Sequence, residues 1–189
     1  SDTTLADMRG RSCYLGLDLS SGGDLTTGSL EFPLDIDGRR KYYIESHSFL
    51  PKERLAKHIK TDKAPYDMWT KEGLITLTEG ESGGFKLDYK FILAYYKKLI
   101  ADYDLKLQGI GYDPHNADAF VSDPTDFGVD LVCITQSAKS LNDTTVDFQL
   151  EVDACNIIYD RRNTLLTWSM QNAVIVHNSF GEKKIDKDL

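Results

Sequence analysis

The chain opens with alternation. In CYLGLDL (Cys13 to Leu19) apolar positions alternate with small or polar ones among β-forming residues, which predicts a strand. DLTTGSLEFPLDI (24–36) predicts a second strand, with Pro33 marking an edge or a bulge because proline has no N–H for the ladder. Asp37-Gly38 is a tight-turn signal, and KYYIESHSFL (41–50) predicts a third strand running to Pro51. The first third of the chain therefore reads as three antiparallel strands in a meander.

The period then lengthens. KERLAKHIKTD (52–62) predicts a short helix, APYDMWTKEG (64–73) a helical turn ending at Gly73, and LITLTEG (74–80) a short strand. In 87–104, Phe91, Ile92, Tyr95, Leu99 and Ile100 recur at helical spacing behind Asp88 as N-cap. LKLQGIGYD (105–113) predicts a strand that runs into a turn and helix over 114–123, and VDLVCITQS (129–137) an apolar strand. Residues 143–162 predict one long amphipathic helix with Val146, Leu150, Cys155, Ile157 and Ile158 on or near its apolar side. Residues 165–178 read as a helix followed by a strand, and 179–189 as a polar tail. This order predicts a mixed α/β fold: three antiparallel strands extended by parallel strands through helical crossovers, with the first strand central.

A length of 189 residues suits one domain, 1–189, large enough to bury a core without staples. The 41% apolar and 28% charged content place it in the soluble globular class, and no apolar run approaches the ~18 residues of a membrane span. The opening SDTTLADMRGR has no hydrophobic signal core and no initial Met, and reads either as an engineered boundary or as a cut within a longer polypeptide. Cys13, Cys133 and Cys155 are far apart among apolar neighbours, which predicts buried reduced thiols. A net charge of −8 argues against nonspecific polyanion binding by the whole domain. It leaves room for a nuclease, whose site needs acids. Arg161-Arg162 and Lys183-Lys184 are the local basic clusters.

Two acids end strands in the same way. Asp18 closes YLGLD and Asp113 closes GIGYD, each after an apolar run and before a turn. In open α/β sheets reacting groups gather at the carboxyl ends of strands. Brought to one sheet edge, the two carboxylates would repel unless a proton or divalent cation neutralised them, and oxygen-only ligands favour Mg²⁺ or Mn²⁺. The plainer alternative is that each is a turn aspartate capping the next segment. Asp186, with Asp188 beyond it, is a third candidate against the alternative of a charged tail. Asp24 reads as a turn residue or an auxiliary ligand, and His115 as a turn histidine or a contact to phosphate or metal-bound water. No Walker A sequence, no GxGxxG and no serine-nucleophile motif is present.

These stretches resemble the C-terminal nuclease domain of the large terminase subunit of tailed bacteriophages. MRGRSCYLGLDLSSGGDLTT is similar to the family's opening strand, YDMWTKEGLITLTEG to its W…G…T.G segment, and DYKFILAYYKKLIADYDLKLQGIGYDPHNA to the helix and strand that deliver its second acid. NTLLTWSMQNAVI resembles the family's N-x-x-L-x-W-x-x-x-N stretch. The resemblance implies an RNase H-like mixed sheet flanked by helices. It also implies a two-metal site for Mg²⁺ or Mn²⁺, and endonuclease cleavage of concatemeric double-stranded viral DNA in the host cytoplasm. It maps the first acid onto Asp18 and the second onto Asp113. The third falls on Asp186 within KKID, or beyond Leu189. The implied partners are double-stranded DNA, the terminase ATPase domain, the small terminase subunit and the portal, with no membrane. Two rivals carry other chemistry: a sugar-kinase or actin-like ATPase, whose first phosphate loop is close to GLDLSSGG, and a non-catalytic domain docking to the portal or small subunit.

Overall fold

The computed structural model describes residues 1–20, 24–79, 89–114 and 127–187. A 3-10 turn at Leu5–Met8 leads into β1 (Ser12–Asp18), β2 (Thr26–Ile36) and β3 (Arg39–Pro51). These three form the expected antiparallel meander. Asp37 and Gly38 make the β2–β3 turn with φ of 52° and 75°, the paired positive values that a two-residue hairpin turn requires. Pro33 lies where β2 has run past its ladder with β1 and pairs only with Tyr42 of β3, so its missing N–H falls on an edge.

Then come α1 (Lys52–Thr61), α2 (Tyr66–Lys71), β4 (Ile75–Thr78), α3 (Tyr89–Asp102), β5 (Lys106–Tyr112), β6 (Asp130–Cys133), α4 (Ala138–Asp153), β7 (Ile157–Ile158), α5 (Thr164–Asn172), β8 (Ala173–His177) and β9 (Lys183–Lys187). The seven-stranded sheet runs β4-β3-β2-β1-β5-β6, with β7 also on β3. β5 and β6 extend it in parallel from β1, and β4 and β7 run parallel to β3. β1 is central, as the order of elements implies. β8 and β9 form a separate antiparallel hairpin.

The alternation of β1 sorts its side chains. Cys13, Leu15 and Leu17 point to a core shared with Leu30, Phe32, Tyr43, Phe49 and the Ile92, Leu93 and Tyr96 stripe of α3. His47 belongs to that face, its ring stacked on Tyr95 at 4.8 Å. Burial there pulls its pKa down to about 4. A second core joins Leu50, Ala64, Tyr66, Trp69, Ile75 and Leu165. The opposite face of β1 carries Tyr14, 51% exposed, and Asp18.

Three expectations are corrected. The helix expected over 143–162 starts earlier and stops at Asp153; Cys155 takes a φ of 57°, and Ile157 and Ile158 pair with Tyr42 and Tyr43 as β7. Leu150 consequently stands 61% exposed. Cys133, on the sheet-edge strand β6, and Cys155 are exposed; only Cys13 is buried. The polar tail, rather than lacking structure, supplies β9.

Candidate active site at the strand ends

β1 and β5 are parallel neighbours in register through Leu17↔Tyr112. One step further on each strand is Asp18 and Asp113. The topology therefore sets the two acids side by side at the carboxyl ends of adjacent strands, whose spacing is about 4.8 Å. Asp18 is exposed, whereas Asp113 is only 8% exposed. The Leu19 N–H donates to Asp113 Oδ2 at 3.3 Å, so Asp113 takes up the amide that follows the end of β1. That bond holds its carboxylate against the β1 end.

On the other side of β1, Asp18 pairs with Thr27 of β2, and Thr27 with Ser48 of β3. The Thr27 and Ser48 hydroxyls are bonded at 2.9 Å. A polar row, Ser48–Thr27–Asp18–Asp113, thus crosses four strands. The hydroxyls are the part that inspection of the sequence missed; the signal was the alternation of TTG and HSF in phase with LGLD.

The approach to this row is tied down locally. The Ser20 N–H donates to Thr26 Oγ1 at 3.0 Å, Ser20 Oγ donates to the Asp24 carbonyl at 2.7 Å, and Tyr89 Oη donates to the Ser20 carbonyl at 3.2 Å. Asp24 thus has its backbone in the expected turn. Its charge is felt at Tyr66, whose hydroxyl pKa is raised by burial first, then by Asp62, with a smaller contribution from Asp24.

Asp186 lies on β9, opposite Val174, with Lys184 Nζ 3.4 Å from its Oδ2. Asp18 and Asp113 thus each follow the last β1–β5 pair, Leu17↔Tyr112, by one residue, while Asp186 lies on the hairpin. Among the described residues no group of three or more His, Cys, Asp or Glu could hold a metal ion. His115 and Asp188 lie outside the described residues.

Two stretches that carried the resemblance prove to be scaffolding. Asn163 caps α5 by accepting from the Leu166 N–H at 3.0 Å, and its Nδ2 donates to the Ser46 carbonyl and Oγ of β3 at 3.2 and 3.3 Å. Trp168 meets Trp69 edge-on at 5.4 Å, and Asn172 Nδ2 donates to the Trp168 carbonyl. Gly73, at φ 76°, ends the α2 turn before β4. These residues fasten α2 and α5 over the second core, which in turn braces β3 beside the polar row.

A mixed sheet with a central strand and acids on adjacent carboxyl ends is the architecture of RNase H-like nucleases. The terminase large subunit endonuclease domain matches residues 2–189, and the chain belongs to that family. Over 179 residues it is 32% identical to the terminase large subunit of Enterobacteria phage HK97, covering 94% of this chain and 34% of that protein. It is 24% identical over 176 residues to Protein YmfN of Escherichia coli K12, covering 90% of this chain and 37% of that one. Its fold superposes on the crystal structure of the HK97 bacteriophage large terminase with a TM-score of 0.78 at 30% identity, covering 93% of this chain and 35% of that one. It is also similar in fold to the large terminase nuclease from thermophilic phage G20c, with a TM-score of 0.55 at 12% identity and coverage of 94% and 73%. The chain spans about a third of the length of the curated relatives it matches. Membership of this family sets aside the sugar-kinase and actin-like reading.

Proposed function

We propose that this chain is a divalent-metal-dependent endonuclease that hydrolyses phosphodiester bonds of duplex DNA. Its substrate in the cell would be concatemeric viral DNA in the host cytoplasm. Its partners would be an ATPase region, a small terminase subunit and a portal. The observation that carries the chemistry is the juxtaposition of Asp18 and Asp113 on the ends of parallel strands. An oxygen-only pair with one member buried suits Mg²⁺ or Mn²⁺, because two neighbouring carboxylates repel unless a proton or a divalent cation neutralises them, and oxygen donors favour these hard cations.

Asp18, on the central strand, would face both ions; Asp113 would hold one and Asp186 the other. When bound, such ions supply Lewis-acid activation of water and stabilisation of the leaving oxygen. The chain's own contribution is placement. The paired ladders of β1 fix Asp18. The Leu19 amide fixes Asp113. The β8–β9 hairpin carries Asp186 on a short, regular ladder.

The test is nicking of supercoiled plasmid with Mg²⁺ or Mn²⁺. Asp18→Ala is expected to lower the rate by more than the 10- to 100-fold that loss of an outer-sphere partner typically causes. The thermal unfolding profile should be retained, since Asp18 is exposed. A clean preparation of that variant that still cuts at the wild-type rate would refute the assignment.

A further inference from the structure

The most exposed large apolar side chain among the described residues is Phe180, at 87%, on the tip of the β8–β9 hairpin. Single exposed apolar residues are ordinary on protein surfaces. This one is held out by an ordered loop. Asn178 Oδ1 accepts from the N–H groups of Phe180 and Glu182, both at 3.0 Å, and its Nδ2 donates to Glu182 Oε2 at 2.6 Å. The Asn178 N–H donates to the Glu182 carbonyl, the Gly181 N–H to the Asn178 carbonyl, and Gly181 supplies the left-handed turn at φ 77°. One asparagine thus ties the loop to itself, and the phenyl ring is left pointing away. The ribbon is anchored behind the tip, where the Lys183 N–H donates to Asn142 Oδ1 of α4 at 2.8 Å.

The register places Lys183 on one face just behind the ring and Lys184, in ion pair with Asp186 at 3.4 Å, on the other. His177 pairs with Lys183 on one face; Val176 with Lys184, and Val174 with Asp186, lie on the other. In a chain of net charge −8, a two-stranded ribbon with a lysine on each face and an aromatic tip has the make-up of a groove-inserting element. Such ribbons fit a DNA groove, lysines meet phosphates on either wall, and apolar wedges unstack base steps.

We propose that the β8–β9 ribbon is a DNA-engaging arm and that Phe180 wedges against a base step of the duplex held for cleavage. This rests on the nuclease reading above. Asp186 is three ladder pairs from the start of the tip. At about 3.4 Å per residue the ring then reaches roughly 15 Å from Asp186, a distance of about four base pairs.

The experiment uses the whole 189-residue chain with Asp18→Asn, to keep the substrate intact, and a fluorescein-labelled 30-base-pair duplex. Phe180→Ala is expected to weaken binding about tenfold, within the range for loss of one base–aromatic contact, while Phe180→Trp binds as well as the parent. 2-Aminopurine placed three to six base pairs from the cut should brighten with the parent and not with Phe180→Ala. Equal affinity and equal brightening for Phe180→Ala would overturn the proposal. So would loss of self-association in that variant with DNA binding intact, which would make the tip a protein contact. If the wild-type chain neither binds nor cuts the duplex with Mg²⁺ or Mn²⁺ present, the nuclease reading falls and takes this inference with it. If the wild-type chain cuts and Phe180→Ala cuts and binds equally well, only this inference falls.

Discussion

At Gly28 the α3 residue Tyr96 packs directly on the backbone of β2. Gly28 sits opposite Leu17 of β1 and His47 of β3, one residue from the Thr27 that pairs with Asp18. A Cβ built there would lie 2.0 Å from Tyr96 Oη, 2.5 Å from its Cζ and 2.7 Å from its Cε2. The ring has little room to yield: Tyr96 is 1% exposed, with Tyr95 at 5.1 Å and Phe49 at 6.2 Å between ring centroids. A methyl at position 28 must push the ring and α3 outward by more than an ångström. Overpacking of this kind costs typically 1–3 kcal/mol. For a chain of this size each kcal/mol is worth about 2–4 °C in Tm, so Gly28→Ala is expected to lower Tm by roughly 4–8 °C for a cost of about 2 kcal/mol. The assay is chemical denaturation followed by circular dichroism, run also for Tyr96→Leu and the double variant. Leucine removes the offending ring, so the Gly28→Ala cost should shrink by at least about 1 kcal/mol in that background, a coupling well above the additivity error of distant sites. A Gly28→Ala protein as stable as the parent, or strictly additive costs in the double variant, would refute the packing argument.

His47 gives a pH signature. Burial holds it near pKa 4 in the folded chain against an ordinary value of 6.5. Above about 6.5 both states are neutral there; as pH falls from 6.5 to 4 the unfolded chain binds a proton that the folded one refuses, so stability falls, by about 3 kcal/mol in total. His47→Gln should flatten that part of the stability–pH curve, measured by urea titration at each pH; an unchanged slope would contradict it. Asn163→Ala removes the α5 cap and the bonds to Ser46 together. It is expected to cost about 2 kcal/mol, with Asn163→Asp recovering the cap part only, both read by thermal melts.

Much of the sheet was legible because its signals are local. LGLD alternates cleanly, Asp37-Gly38 takes the two positive φ values its turn needs, and the α3 stripe of Ile92 and Tyr96 repeats at helical spacing. The neighbouring placement of Asp18 and Asp113 was suggested by similar strand endings, and the β1–β5 register, which runs to Leu17↔Tyr112, brings those endings together. What escaped depends on distant partners. β7 is two residues long and exists because Tyr42 and Tyr43 offer a ladder, so its isoleucines looked like the end of a helix. The break itself falls at Cys155, a left-handed position marked by neither glycine nor proline. β9 is KKIDK, paired across a five-residue loop with β8, and its polar composition concealed it. The Asn163 and Trp168 signature was visible as a pattern, but its role in clamping α5 to β3 required the Ser46 and Trp69 contacts.

The central claim is that Asp18 and Asp113 form one divalent-metal site. Its most direct measurement is anomalous scattering from crystals of the chain soaked in Mn²⁺. The account predicts a peak bridging the two carboxylates at the ends of β1 and β5, with a second about 3.5–4 Å away toward Asp186, and loss of the bridging peak in Asp18→Ala. Well-ordered carboxylates at Asp18 and Asp113 with no anomalous density between them at saturating Mn²⁺ would contradict it.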